Sequence, residues 1–275
     1  MDTSRAPAGR AELTSRLRQR FSRELTRLAR AVDPAEQPSH QHTIQEPTPL
    51  EDLDPFTLSV CSRVKPYTLT SPERIAGLVE AVRYVVRADV PGALVECGVW
   101  RGGSALTVLL TLLDEGVTDR DVWLYDTFEA MPPPGDRDVD MFGTPAAVGF
   151  KSYAEDGPPP GFEWLPFDQV RGNLLATGYP EERIHFVKGL VEATIPSQAP
   201  DAIALLRLDT DWYESTLHEF EHLFPRVPEG GVLLVDDYGH WMGAKQATDE
   251  YLAKSGLALF LQRVDYTARM AVVRR

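Results

Sequence analysis

The sequence has little cysteine, no long apolar run and a shortage of positive charge. Only two of the 275 residues are cysteines, Cys61 and Cys97, so the chain has no disulfide framework and we expect a cytoplasmic protein. No apolar stretch reaches the roughly 18–20 residues of a membrane helix, and the first residues lack the apolar core of a secretory signal. The net charge of −13 argues against a nucleic-acid partner, because phosphates would be repelled.

The N-terminal part of the chain differs from the rest. Residues 10–33 carry apolar side chains at helical spacing among many arginines, a pattern that predicts a basic amphipathic helix. Residues 34–56 are polar and rich in proline, which predicts a linker. We therefore expect an arm and linker over residues 1–60 and one folded domain over residues 61–275. Such an arm packs on the domain or on a second subunit more often than on a membrane surface, so we expect no membrane partner, and the arm favours a homodimer.

Beyond residue 60, short apolar runs alternate with helical patterns. This order predicts an α/β fold with crossover connections and a mostly parallel sheet. The predicted strands cover residues 93–98, 122–127, 183–189, 202–209, 231–237, 258–265 and 269–275. The last two are close enough in sequence to be antiparallel, and residues 132–165 have no clear period, so they are predicted to form a long irregular excursion.

A glycine-rich turn follows the first predicted strand. The sequence VECGVWRGGSA lets the backbone turn tightly at Gly98 and offers donors from Ser104 and a helix N-terminus. Glu96 can bind an amine, and Asp126, at the end of the second strand, is placed to accept hydrogen bonds from ribose hydroxyls. An amine, a carboxylate and a ribose without a phosphate cradle suggest S-adenosylmethionine as the cofactor.

Four aspartates follow two of the predicted strands. Asp209 and Asp211 follow the fourth strand, and Asp236 and Asp237 end the fifth. Carboxylates brought together at the ends of neighbouring strands form a Mg²⁺ site, and coordination lowers the pKa of a bound hydroxyl so that an adjacent base can remove its proton. A positioned sulfonium methyl group then completes a direct displacement.

Five ordered segments over residues 61–256 resemble the TylF-type, macrocin O-methyltransferase-like family. They are RVKPYTLTSPERIAGLVEAVRYV, LVECGVWRGGSA, YDTFEAMP, LLRLDTDWYEST and GGVLLVDDYGHWMGAKQATDEYL. The resemblance implies a Rossmann-like class I methyltransferase fold, a seven-stranded mostly parallel sheet with an antiparallel last strand and an N-terminal helical arm or lid. It also implies S-adenosylmethionine- and Mg²⁺-dependent methylation of a hydroxyl, usually on a sugar of an antibiotic-type small molecule.

The resemblance also assigns roles to residues of this chain. The metal ligands are expected to be Asp209, Asp236 and Asp237. The candidate bases are Asp209, with Asp211 as the alternative, and His240, which is also a candidate acceptor contact. The expected cofactor contacts are Tyr67, Thr68 and Leu69 in a lid, Glu96, Gly98, Ser104 and Asp126 around the glycine turn, and Gly189 and Leu190 near the adenine. Ala130 departs from the glycine that is more usual in the family at that position.

Two other functions fit parts of the sequence. The Asp-x-Asp at residues 209–211 is a motif with which metal-dependent glycosyltransferases hold Mn²⁺ and a nucleotide diphosphate, although the glycine turn fits that reaction poorly. A methyltransferase-like fold also serves as a non-catalytic binding module. Binding of S-adenosylhomocysteine rather than a nucleotide sugar would distinguish a methyltransferase from a glycosyltransferase. A methylation assay with and without a chelator would distinguish an active enzyme from a non-catalytic binding module.

Overall fold

A computed structural model describes residues 52–158 and 163–274. The predicted amphipathic helix of residues 10–33 lies outside these ranges, so the arm and the homodimer expected from it stay predictions. No helix in the described part of the chain is both long enough and apolar enough to cross a membrane.

Seven strands form one sheet, as the sequence predicts. They are β1 (Ala93–Cys97), β2 (Val122–Asp126), β3 (Ile184–Lys188), β4 (Ile203–Leu208), β5 (Val232–Val235), β6 (Gln262–Arg263) and β7 (Arg269–Val272). Their order across the sheet is β3-β2-β1-β4-β5-β7-β6. The first five strands are mutually parallel, and β7 lies antiparallel between β5 and β6. The chain order reverses direction between β1 and β4, which is where ligands bind in sheets of this kind.

Helices cover both faces of the sheet. They are α1 (Pro55–Val64), α2 (Pro72–Arg87), α3 (Gly103–Asp114), α4 (Ala146–Asp156), α5 (Phe167–Leu175), α6 (Val191–Thr194), α7 (Tyr213–His222) and α8 (Met242–Ser255). The start of α2 follows from its sequence, because Ser71 accepts a hydrogen bond from the backbone of Arg74 and Pro72 occupies the first helical position.

The core consists of two apolar layers, one on each face of the sheet. Successive residues of a strand point to opposite faces, so Leu94 and Leu205 pack under α2 and α3, whereas Val95 and Leu206 pack under α7. All of these side chains are at most 1% exposed. The central strands are therefore buried on both faces, which explains why they are continuous apolar runs in the sequence.

The excursion over residues 132–165 is more regular than the sequence suggests. It contains α4, in which only Ala146 is buried. A helix that is exposed almost all round shows no apolar period, so the pattern of the sequence does not reveal it. The predicted closing strand at residues 258–265 is also shorter than expected, since only Gln262 and Arg263 pair with β7.

The two cysteines lie in different environments. Cys97 ends β1, is fully buried, and has a pKa raised well above its usual value by that burial and by the neighbouring Glu219. Cys61 in α1 is partly exposed, and its sulfur lies 4.0 Å from the carbonyl oxygen of Pro72 at the start of α2. Partial burial also raises the pKa of Cys61.

Candidate active site

Three aspartates form a compact cluster beyond the carboxyl ends of β4 and β5. Asp209, Asp211 and Asp237 each place a carboxylate oxygen within 4.8 Å of the others. The two parallel strands are hydrogen-bonded neighbours, so the loops that follow them lie side by side. Asp211 takes a left-handed backbone conformation, with φ of 66°, which lets this loop double back toward β5.

The electrostatics of this cluster favour a cation. Burial, reinforced by the neighbouring carboxylates, raises the pKa of Asp209 and of Asp237 well above the usual range, and burial raises the pKa of Asp211 to about 7. The Oδ2 atom of Asp237 is buried without a hydrogen-bond partner. Such an arrangement is costly for three ionised acids, and a bound divalent cation removes the cost.

Asp236 is placed differently from the prediction. Its Oδ1 accepts a hydrogen bond of 2.8 Å from Arg207, and its Oδ2 forms an ion pair with Arg74. Its carboxylate therefore faces two guanidinium groups, while Asp211 takes the third place in the acidic cluster. The predicted metal set and the observed cluster share Asp209 and Asp237, and differ in the third acid.

Arg207 connects the two halves of the site. It lies in β4 directly opposite Glu96 of β1, and its side chain is 4% exposed. It donates to Glu96 Oε1 at 2.7 Å and to Asp209 Oδ2 at 2.6 Å, in addition to Asp236. One buried guanidinium thus fixes acids from three strands, which provides the counter-charge that buried carboxylates need.

Glu96 combines this ion pair with an unsatisfied atom. Its side chain is 5% exposed, and its Oε2 is buried without a hydrogen-bond partner. Burial raises the pKa of Glu96 to about 7, against the opposing effect of Arg207. The free oxygen is suited to accept a hydrogen bond from an ammonium group, which would also favour the ionised acid.

The glycine turn after β1 is closely packed on both sides. Gly98 has φ of 87°, and a Cβ atom there would collide with the backbone oxygen of Asp209. At Gly103 a Cβ atom would collide with the side chain of Thr68 and lie 2.6 Å from the carbonyl oxygen of Tyr67. Glycine is required at Gly98 by its conformation, and at Gly103 by the close approach of another segment.

The segment that approaches Gly103 is the predicted lid, residues 67–69, which we call the lid segment. Tyr67 and Thr68 lie against the first turn of α3, where Ser104 is buried. Leu69 is 55% exposed. The structure therefore places the lid segment over the helix N-terminus that the sequence predicts as part of the cofactor site.

Asp126 ends β2 as predicted, but its carboxylate is used by the protein backbone. Oδ2 accepts from the amides of Val99 and Trp100 at 2.6 and 2.9 Å, and Oδ1 accepts from the amide of Phe128 at 2.6 Å. Trp100 and Phe128 have φ near +50°, which is strained for aromatic residues. Asp126 thus stabilises the glycine turn, and its predicted ribose contact stays a prediction.

A groove of about 600 Å³ opens beside Asp126, between the ends of β2 and β3. It is lined by Thr127, Glu129, Ala130, Lys188, Gly189 and Leu190. Glu129 and Lys188 form an ion pair of 2.8 Å, and Leu190 is 44% exposed. The groove contains the two residues, Gly189 and Leu190, that are predicted to lie near an adenine.

Aromatic side chains lie next to the acidic cluster in the sequence, at Trp212 after Asp211 and at His240 and Trp241 after Asp237. The rings of Trp212 and Trp241 meet edge to face at 5.1 Å, and His240 lies 4.7 Å from Trp241 and 6.1 Å from Tyr266. The Nδ1 atom of His240 is buried without a hydrogen-bond partner. Flat apolar faces beside an unpaired polar atom are suited to bind a polar ring.

The excursion over residues 132–165 is anchored to this aromatic group by one buried acid. Asp138 is 1% exposed and accepts hydrogen bonds from the backbone of Gly135 and of Tyr213, at 2.7 and 2.8 Å. Trp212 donates from its indole to the carbonyl of Pro132 at 2.9 Å. The excursion therefore forms part of the wall beside the acidic cluster.

The model of the macrocin O-methyltransferase (TylF) family matches residues 59–272. The chain belongs to the macrocin O-methyltransferase family. It is thus an S-adenosylmethionine-dependent O-methyltransferase, as the sequence predicts, and membership favours methyl transfer over the glycosyl transfer and the binding module considered as alternatives.

Curated relatives support membership of the macrocin O-methyltransferase family. One, from Streptomyces olivaceus, is 8-demethyl-8-(2,3-dimethoxy-alpha-L-rhamnosyl)-tetracenomycin-C 4'-O-methyltransferase, 33% identical over 216 residues, which are 78% of this chain and 79% of that protein. Another is the demethyldecarbamoylnovobiocin O-methyltransferase of Streptomyces niveus, 32% identical over 205 residues and 72% of each chain. The solved structure of the O-methyltransferase NovP is 31% identical, with a TM-score of 0.66, and the match covers 76% of this chain and 83% of that one.

Several residues of this methyltransferase site are missed by sequence reasoning. Arg207 and Arg74 pair with the acids, and Glu219 of α7, fully buried, accepts from the hydroxyl of Thr210 at 2.9 Å beneath the Asp209–Asp211 loop. Arg207 has a sequence signal, since it is a charged residue inside the otherwise apolar strand LLRL. Arg74 and Glu219 lie on helices at ordinary polar positions, where the sequence gives no such signal.

Proposed function

We propose that this enzyme transfers a methyl group from S-adenosylmethionine to a sugar hydroxyl of an antibiotic-type natural product, with Mg²⁺ bound at the acidic cluster. The observation that carries the proposal is the convergence of Asp209, Asp211 and Asp237 within a methyltransferase fold. The two curated relatives, named for O-methylation of glycosylated natural products, support the acceptor class.

The residues of the cluster fit a hard divalent cation. The carboxylates of the cluster supply oxygen ligands, which Mg²⁺ prefers. The Oδ2 atom of Asp237 is buried and has no hydrogen-bond partner, so it is available to bind the cation. Asp209 and Asp237 belong both to the predicted ligand set and to the acidic cluster, so they are the core of the proposed site. When bound, Mg²⁺ lowers the pKa of a hydroxyl that it coordinates.

The proposed cofactor site lies between the glycine turn and the lid segment. Glu96 Oε2, unpaired and buried, accepts from the methionyl amine, and the N-terminus of α3 with Ser104 donates to the methionyl carboxylate. The groove beside Gly189 and Leu190 holds the adenosine. Closure by the lid segment keeps water away from the methyl group of S-adenosylmethionine. It also holds that methyl group in line with the acceptor oxygen.

The acceptor is proposed to bind against the aromatic group, with His240 as a hydrogen-bonding contact through its free nitrogen. Asp211 is the better candidate for the base. Asp209 already binds Arg207 through Oδ2, whereas Asp211 makes no ion pair within the described ranges. Asp211 is therefore the proposed base, and Asp209 and Asp237 are the members of the cluster that remain as metal ligands.

The proposal is tested by methylation of demethyldecarbamoylnovobiocin and of the rhamnosylated tetracenomycin substrate of the relatives. Each reaction is run after exhaustive chelation and again after adding Mg²⁺, and titration calorimetry measures binding of S-adenosylhomocysteine. We expect methylation of at least one glycoside that is lost on chelation and restored by Mg²⁺. Full activity after chelation would overturn the metal role, and binding of a nucleotide sugar in place of S-adenosylhomocysteine would overturn the reaction.

A further inference from the structure

Arg74 occupies an unusual position for a cation. It lies in the first turn of α2, two residues after Pro72, immediately beyond the lid segment. The helix macrodipole disfavours positive charge at this end, and the side chain is only 14% exposed. A guanidinium placed against the dipole and largely removed from water requires acidic partners to hold it there.

Those partners are Asp236 and Asp265. The Nη1 atom of Arg74 pairs with Asp236 Oδ2, and its Nε lies 3.0 Å from Asp265 Oδ2. Asp265 belongs to the β6–β7 hairpin and also accepts from the hydroxyl of Ser71, the N-cap of α2. Arg74 therefore spans two acids at once, one beside the proposed metal site and one that anchors the start of the helix.

Each carboxylate oxygen of Asp236 is paired with a guanidinium group in this arrangement. Arg207 holds Oδ1 and Arg74 holds Oδ2, although Asp236 is next in sequence to Asp237 and is predicted to be a ligand. Of the two guanidinium groups, Arg207 is the more buried, at 4% exposure, and it also binds Glu96 and Asp209. Arg74 is thus the partner that is more easily displaced.

We propose that Arg74 competes with the divalent cation for Asp236, and so sets the affinity of the site for its metal. This inference rests on the proposed metal site. A carboxylate oxygen that accepts a charge-assisted hydrogen bond must lose it before it binds a cation at full strength. Displacement of Arg74 from Asp236 leaves its ion pair with Asp265 and the hydrogen bond from Ser71 to Asp265, so the start of α2 stays attached to the hairpin while Asp236 becomes available to the cation beside Asp209 and Asp237.

The test measures binding of Mn²⁺ alone, by electron paramagnetic resonance of the free ion, so it does not depend on turnover. The variants are Arg74→Gln, which removes the competing charge, and Arg74→Lys, which keeps the charge but cannot reach both acids with one planar group. Both are expected to bind Mn²⁺ more tightly than the wild type, Arg74→Gln by about tenfold, the value of one charged hydrogen bond. Thermal unfolding confirms that each variant is folded, and Arg74→Lys carries the test where Arg74→Gln is unstable.

Arg83 provides a matched control on the same helix. It is 11% exposed and pairs with Asp54 and Glu80, away from the acidic cluster, so Arg83→Gln changes the net charge equally and is expected to leave Mn²⁺ affinity unchanged. Asp236→Asn is expected to weaken Mn²⁺ binding, because competition requires Asp236 to be a ligand.

The outcomes separate this inference from the proposed function. Unchanged or weaker Mn²⁺ binding in both Arg74 variants overturns the competition, as does equal tightening in Arg83→Gln or unchanged binding in Asp236→Asn. Failure of the wild type to bind Mn²⁺ at millimolar concentration overturns the metal site itself, and the competition with it. If the wild type binds Mn²⁺ tightly and the Arg74 variants bind it with the same affinity, the competition is overturned but the proposed metal site is not.

Discussion

Replacing Gly103 with alanine tests whether the lid segment is part of the cofactor site. The new Cβ atom would lie 2.6 Å from the carbonyl oxygen and 2.9 Å from the carbonyl carbon of Tyr67, and would overlap the side chain of Thr68. Two of these contacts are with backbone atoms and the third is with the Cβ atom of Thr68. Rotation of a side chain moves none of these atoms. The lid segment must move away from α3.

The size of the effect follows from the cost of overpacking. Inserting a methyl group into a filled space costs about 1–3 kcal/mol, which corresponds to a factor of about 5 to 150 in an equilibrium constant. The strain is relieved when the lid segment moves away from α3, and this movement removes the contacts that the lid segment is proposed to make with the cofactor. We therefore expect the dissociation constant of S-adenosylhomocysteine to rise by about tenfold, measured by titration calorimetry.

Gly77 in α2 supplies the control. A Cβ atom there meets Val264 Cγ1 at 3.4 Å and Met270 Cε at 4.0 Å, which are ordinary contacts with side chains. Gly77→Ala is expected to keep wild-type affinity and to gain up to about 1 kcal/mol of helix stability. Wild-type affinity in Gly103→Ala, or an equal loss in Gly77→Ala, would refute the placement of the lid segment over the cofactor.

Three further predictions concern single acids. Asp237→Asn should abolish turnover while the calorimetric dissociation constant of S-adenosylhomocysteine rises by less than about tenfold, the most that one lost hydrogen bond accounts for, because Asp237 is not a proposed cofactor contact; equal loss of both would show that Asp237 supports the fold. Asp126→Ala should lower both the melting temperature and S-adenosylhomocysteine affinity, because three backbone amides lose their acceptor; an unchanged melting temperature would contradict this. Burial raises the pKa of Glu219 well above its usual value, so between its unfolded and folded pKa the native state holds a proton that the unfolded state has lost. Over that interval the free energy of unfolding falls as pH rises, by at most about 1.4 kcal/mol per pH unit. Glu219→Gln should make the fall in the free energy of unfolding with pH less steep in denaturant unfolding, because the contribution of Glu219 is lost while those of the other buried acids remain; an unchanged slope would contradict it.

The strands and the positions of most site residues are predictable from the sequence. Glu96, Asp126 and Asp209 each stand at or just beyond the end of an apolar run, and parallel strands bring such ends to one edge of the sheet. This local pattern, together with the glycine turn, is sufficient to place the cofactor and the acids on the same side of the molecule.

The partners of these residues are not predictable in the same way. The pairing of Arg207 with Glu96 depends on the register between β1 and β4, and register is a property of two distant segments. The choice between Asp211 and Asp236 as the third acid depends on the left-handed turn at Asp211 and on Arg74, which comes from a helix 162 residues away in sequence. Similarly, Asp138 gives no signal in its own segment, because its role arises only when Tyr213 folds against it.

The contrast between the two cysteines makes the enzyme ready for site-specific labelling without any engineering. The thiolate is the reactive form, so the fully buried Cys97 is shielded from a maleimide dye both by burial and by its raised pKa. The partly exposed Cys61 lies against Pro72, at the junction between α1 and the helix that follows the lid segment. A fluorophore attached there would test, by a change in its emission on binding of S-adenosylhomocysteine, whether the lid segment moves as the proposed function requires.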